Sequence, residues 1–297
     1  KSELVDYLES VGMKFGPDLN AYTSFDETVY MLQARTDTLE LLEKGLLILE
    51  DWSTGVTFED EEIDKERGVV ESEWRSGLGP DQRMFYEYLP VVYKDSRYAE
   101  RLPIGDPEII KNASYETIRS YYKKWYRPDL MAISIVGDFN LNEMETNIKK
   151  QFGSIPKPAQ SIKKELYEVP NHKAPQIAIV ADKEATGTAI QMMYKHDHLT
   201  IKTVEDYRKS LMHEIYNGIL NERLDELTRS AQPPYIYAYS GYGNFVRTKD
   251  VYSSYILVPD NGIETGLKTV LKENKRVKTY GFTKAEFDRQ KEAIQNG

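Results

Sequence analysis

The stretch "SIPKPAQSIKKE", residues 154–165, constrains the fold more than any other part of this chain. Two prolines among lysines and serines disfavour helix and sheet alike, so the segment reads as a linker. On either side lies the same mixture of long helical patterns and short alternating runs that return as hairpins, with no sequence repeat between the halves. That mixture predicts an α+β fold of two sequential domains, each an antiparallel-rich sheet packed with helices. The expected limits are 1–156 for the first domain, 157–170 for the linker and 171–297 for a second α+β domain. A length of 297 residues suits two domains of ordinary size.

Charge and cysteine content narrow the chemistry. Lysine and arginine number 39 against 48 acidic residues, a net charge of -9 with no basic block, which argues against nucleic acid or an anionic membrane as partner. The chain has no cysteine, so a disulfide framework and a thiol nucleophile are excluded, and a metal would need His, Asp or Glu. No apolar run is long enough to span a membrane, and no signal-peptide pattern is present. The opening "KSELVDYLESVG" starts at a helix N-cap, Ser2, carries Leu4, Tyr7, Leu8 and Val11 on one stripe, and stops at Gly12. Such an abrupt start reads as a fragment whose first domain is truncated at its N-terminus, and the second domain is expected to be truncated at its C-terminus.

Along the first half, residues 18–36 read as strand, turn and strand, and 37–52 as a leucine-rich buried helix. "TFEDEEIDKERGVVESEWRSG" is a helix with Thr57 as N-cap and Gly77 as stop. Residues 81–105 read as a short helix broken at Pro90, then a loop; 114–126 as a helix; 131–139 as a buried strand; 140–153 as a helix. In the second half, 176–182 and 188–198 read as strands and 203–227 as a long helix. Residues 235–243 and 251–259 read as strands, and 262–277 and 283–295 as helices.

Within the helix 57–77, each residue turns about 100°. With Ile63 at zero, Val70 and Trp74 fall near 340° and 20° and define a buried stripe. Glu66 and Glu73, near 300° and 280°, sit at its shoulder, whereas Asp64, Arg67, Glu71 and Arg75 occupy the far side as solvated charges. Two readings stand open: boundary glutamates paired with neighbouring cations, or a metal ligand with a supporting carboxylate. The histidines do not settle the matter. His196 and His198 in "KHDH" form a conceivable two-ligand clamp or an exposed strand end, His213 in "HEIYN" lacks the second histidine of HExxH, and His172 carries no signal. GxSxG, Walker and GxGxxG patterns are absent.

"LNAYTSFDETVY", "DKERGVVESE", "LPIGDPEII" and "YYKKWYRPDLMAISIVGD" occur in an order and at spacings that resemble the insulinase/pitrilysin-like zinc metallopeptidases, bacterial members above all. The resemblance spans residues 1 to about 155; beyond the linker "LNERLDEL" and "PPYIYAY" resemble that family's next domain more weakly. In that family zinc is held by the two histidines of an HxxEH helix and by a later glutamate, the second acid of an E-x6-E pattern. The resemblance therefore implies zinc as cofactor, Glu73 as metal ligand and Glu66 as its supporting carboxylate. It also implies that Asn20, Ala21 and Tyr22 form the strand edge on which a peptide or unfolded polypeptide lies antiparallel.

HxxEH itself is absent from this chain. With it go two zinc ligands and the glutamate that would act as general base. The expectation is a piece of a zinc-dependent metalloendopeptidase, inert alone, that works with a second half-molecule of the same chain or a partner subunit. The rival expectation is a non-catalytic peptide-binding or structural subunit. The resemblance implies a cell-envelope (periplasmic) or secreted location and leaves the cytoplasm open.

Overall fold

The structure is a computed structural model that describes residues 2–14, 16–34 and 39–296, with side chains outside the described set at 2–5 and 39. The described elements are α1 (Ser2–Ser10), β1 (Leu19–Thr23), β2 (Thr28–Leu32), α2 (Leu39–Glu50), α3 (Asp60–Gly77), α4 (Pro80–Val92), α5 (Pro107–Asn112), α6 (Tyr115–Trp125) and α7 (Leu141–Phe152). They continue with β3 (Thr188–Asp197), α8 (Val204–Thr228), β4 (Tyr237–Val246), β5 (Lys249–Val258), α9 (Ile263–Tyr280) and α10 (Lys284–Asn296). The chain is α+β, and both sheets are antiparallel. Two compact units form, one from Lys1–Gly77 and Arg101–Glu165, the other from Leu78–Glu100 and Leu166–Gly297.

In the first unit, α1 ends as its sequence asks. Gly12 takes φ 81°, its N–H donates to the Glu9 carbonyl, and Met13 N–H reaches back to Leu8 at 2.9 Å. This is a Schellman closure, and its customary apolar contact is present: Leu8 and Met13 are both buried, with Leu19 and Ile48 in the same core. The N-cap expected at Ser2 concerns a side chain outside the described ones, and residues 35–38 at the end of the expected hairpin and the start of α2 are outside them too.

In the second unit, α8 starts with a capping box in which Thr203 and Asp206 bond each other's backbone N–H groups. The sheet order is β3-β5-β4. Its residues Ala238, Ile256 and Val258 pack against Leu220 and Leu224 of α8 and Val270 and Val277 of α9 to form the core. Arg223 ties three helices together: it pairs with Glu273 of α9 at 3.1 Å and with Glu286 of α10 at 2.5 Å, and only 9% of its side chain is exposed.

Several expectations are corrected. The helix expected from Thr57 begins at Asp60, because Phe58 is held in the left-handed region, φ 53°, by a tilted ring contact with Tyr122 at 4.8 Å and by Arg119 donating to its carbonyl. Pro90 does not break α4, which runs to Val92 with the proline in its last turn. Residues 131–139 and 176–182 were expected as strands, and neither is one. Val136 and Ile179 are each 94% exposed. An apolar run becomes a strand only where a neighbour takes its N–H and C=O groups, and neither sheet of the described residues includes these segments.

Candidate functional site

The candidate residues lie on two elements of the first unit, α3 and the β1–β2 hairpin. On α3 the solvated face is not where the apolar residues alone put it. Arg67, expected in water, is half-buried and donates to the carbonyls of Ile110 and Ala113 at the end of α5, where a cation complements the last turn. Asp64 accepts from the Tyr115 hydroxyl at 2.7 Å, Lys111 pairs with Glu71 at 3.3 Å, and Arg119 pairs with Asp60. Asp60, Arg67, Glu71 and Asp64 centre near 60–80° on the helical wheel.

The stripe opposite, near 240–300°, carries Glu66, Val69 and Glu73. Val69 is 55% exposed between the two glutamates. Glu73, expected at the shoulder of the buried stripe, is instead exposed and has no hydrogen bond or ion pair to another described residue; Glu66 is half-buried and engaged. Ile63 is buried as expected, but Val70 and Trp74 are only half-buried. Polar tethers on one side thus set the rotation of α3 and leave an apolar residue flanked by carboxylates facing outward.

Whether these groups could hold zinc follows from the donor set. A catalytic zinc takes three protein ligands. No group of three His, Cys, Asp or Glu that could hold a metal occurs among the described residues. The donors present therefore do not make a zinc site by themselves. No third donor joins His196 and His198 in such a group among the described residues. His198 Nδ1 is bonded to Asp250 at 2.9 Å, and the His196 ring lies 5.6 Å from that of Tyr242. Burial raises the pKa of Asp250, but bonds from Leu199 N–H, His198, Tyr242 and Asn244 outweigh it and leave the carboxyl below its ordinary value. His213 packs its ring 4.1 Å from Tyr242.

The hairpin pairs Asn20 with Met31, Ala21 with Tyr30 and Tyr22 with Val29. Gln33 N–H donates to Asp18 and Ser24 N–H to Glu27, so by alternation Asn20 and Tyr22 turn their backbone groups toward β2. Ala21 turns its own outward, to an edge with no further strand among the described residues. Its N–H is held by the Asn20 side-chain carbonyl at 2.8 Å, a local bond that an incoming strand would replace. Tyr22 and Met31, 47% and 43% exposed, stand on the solvent face of the hairpin. The opposite face is anchored by Tyr30, whose ring lies 5.5 Å from that of Trp52 and whose hydroxyl meets that of Tyr126 at 2.6 Å. Burial, then the Tyr126 hydroxyl, push the Tyr30 pKa well above its ordinary value, although 39% of the residue remains exposed. Sequence reading missed Tyr30 and Arg67. The only available signal was an aromatic opposite the candidate edge and an arginine on the polar side of a helix.

The paired carboxylates of α3 and the open-edged hairpin lie in one α+β unit. The description "Insulinase (Peptidase family M16)" matches residues 1–82, and "Peptidase M16 inactive domain" matches residues 112–294. The chain belongs to peptidase family M16. A PQQL-like zinc protease of Arabidopsis thaliana is 34% identical over 234 residues, 78% of this chain and 24% of that protein. A probable zinc protease PqqL of Haemophilus influenzae is 30% identical over 78% of this chain and 25% of its own length. The crystal structure of the first half of the periplasmic protease PqqL from Escherichia coli covers 98% of this chain at a TM-score of 0.81 and 24% identity, with 62% of that chain matched. At that identity the likeness is one of fold. The chain spans about a quarter of these curated relatives.

Proposed function

We propose that the chain works as part of a longer zinc-dependent metalloendopeptidase and is not itself catalytic. Glu73 is its contribution to the zinc shell, Glu66 the supporting carboxylate, and Asn20, Ala21 and Tyr22 the edge that holds an extended peptide or unfolded polypeptide. The observation that carries this reading is the outward stripe on α3, where two carboxylates flank an exposed valine, while Asp60, Asp64, Arg67 and Glu71 on the other side are engaged by α5, α6 and the turn between them. The zinc-protease names of its relatives from Arabidopsis thaliana and Haemophilus influenzae support the zinc.

The remaining ligands and the general base come from residues other than these, so no hydrolytic step is assigned to this chain. Its own residues align and grip: Ala21 offers one N–H and one C=O to an added strand, and Tyr22 walls the side-chain face. The domain division at 1–156 and 171–297, a second half-molecule as partner, and a periplasmic setting like that of the Escherichia coli protein belong to the same proposal. No helix among the described residues is long and apolar enough to cross a membrane.

The test is made in the longer protein that carries this chain. There Glu73→Gln is expected to strip zinc, read by elemental analysis, and to abolish cleavage of a quenched fluorescent peptide, while Glu66→Gln lowers both less. Unchanged metal content in Glu73→Gln overturns the ligand assignment. The rival, a non-catalytic peptide-holding subunit, draws support from the inactive-domain description over residues 112–294. It predicts peptide binding without zinc or cleavage in that same longer protein.

A further inference from the structure

The edge of the second unit's sheet is treated differently from the edge at Ala21. β4 pairs with β5 on one side only, so alternate residues of β4 aim their N–H and C=O groups away from the sheet. At two consecutive such positions these groups are met by side chains of α8. Asn221 donates to the Ser240 carbonyl at 3.0 Å and accepts from Ser240 N–H at 2.9 Å. Asn217 does the same at Tyr242, at 2.7 Å and 2.8 Å. Each carboxamide offers one donor and one acceptor, the pair that a neighbouring strand would offer.

The spacing explains why a helix can do this. Four residues of helix advance about 6 Å, and two residues of strand about 6.8 Å. Asparagines at i and i+4 therefore fall in step with strand positions j and j−2, here running antiparallel. The approach is close: a Cβ on Gly241 would come within 2.6 Å of the Tyr239 hydroxyl and 3.1 Å of Asn217 Cγ. Glycine between the two clamped residues removes that obstruction.

We infer that Asn217 and Asn221 act as a surrogate strand that closes the outer edge of β4 against pairing with a second copy of this chain. The edge has much to close. β4 is ten residues long, carries Tyr237 and Tyr239 exposed at 51% and 38%, and is paired with β5 on its far side apart from a register shift between Asn244 and Val246. Such an edge left bare is a template for edge-to-edge association. The inference is independent of zinc and of peptide hydrolysis.

Amide exchange on the unaltered chain tests the clamp without a variant. Ser240 and Tyr242 amides are expected to exchange within about tenfold of Tyr239 and Gly241, as hydrogen-bonded groups do. Exchange at the rate of free amides overturns the inference. The second arm compares Asn217→Leu/Asn221→Leu with the unaltered chain by sedimentation. The variant is expected to dimerise at about tenfold lower concentration or below, with protection of Ser240 and Tyr242 lost in its dilute monomer and regained in the dimer. A variant with unaltered circular dichroism that associates no more than the parent chain overturns the edge-closing role. Should that variant not fold, Asn217→Leu alone, which removes the two bonds to Tyr242, carries the same two readings there.

Discussion

The carboxylates of α3 and those of the α8–α10 helices are placed in opposite ways. Glu273 is buried and Glu286 half-buried, and both bond the guanidinium of Arg223, whose Cζ lies 5.0 Å from the Phe282 ring; Glu273 also meets Arg276 at 3.3 Å. Glu73 is exposed with no bond to another described residue, whereas Glu66 is half-buried and engaged. A carboxylate used for stability is saturated with partners, because a buried charge left unpaired is costly. One held outward on a helix whose rotation is set by tethers elsewhere is free to meet something that the chain does not contain. The same contrast separates the two sheet edges: β4 is closed by asparagines, and β1 is open at Ala21.

The sharpest way to break this contrast is Arg223→Met. It leaves two acids under-partnered and is expected to lower the unfolding free energy by about 3–5 kcal/mol, read by urea denaturation. A change below about 1 kcal/mol would mean that this network is no more structural than α3's stripe.

Next comes pH. Arg223, against the opposing effect of burial, and then Thr283 hold the Glu286 carboxyl down at about 2, from an ordinary 4.5. The folded pKa is depressed, so the stabilisation is fully present above about 4.5 and is lost as pH falls toward about 2. Denaturation midpoints across that window should show this fall, and Glu286→Gln should flatten it.

Arg67→Met comes third. Removing its two bonds to the α5 carbonyls is expected to cost about 1–3 kcal/mol, by the same denaturation experiment. In the longer protein it should also weaken zinc retention by letting α3 rotate, and Arg67→Lys should restore part of both.

Smallest of all, Glu73→Gln in this chain should shift stability by less than about 0.5 kcal/mol, as at an exposed position with no partners. A larger loss would show that Glu73 is structural after all.

Much of the fold was legible because it is local. The Gly12 stop, the capping box at Thr203 and the alternation of 237–246 against 249–258 each depend on residues a few positions apart. Expectations failed where a distant partner decides. "MAISIVGDF" and "QIAIVAD" carry strand composition, yet no neighbour in the described sheets bonds them. Thr57 had the cap's chemistry, but Arg119 and Tyr122, some sixty residues on, hold Phe58 out of the helix. In the candidate site, the seven-residue interval between Glu66 and Glu73 could be counted. Which way the pair faces could not.

The order of residues by itself determined the helices and hairpins, the α+β class and the one stripe that bears both glutamates. Each follows from short-range sterics, capping and periodicity. Tertiary structure alone decided the rotation of α3, the closing of one sheet edge and the fate of the two apolar runs. Those outcomes rest on hydrogen bonds and ion pairs between groups far apart in sequence, and no local pattern encodes which partner arrives.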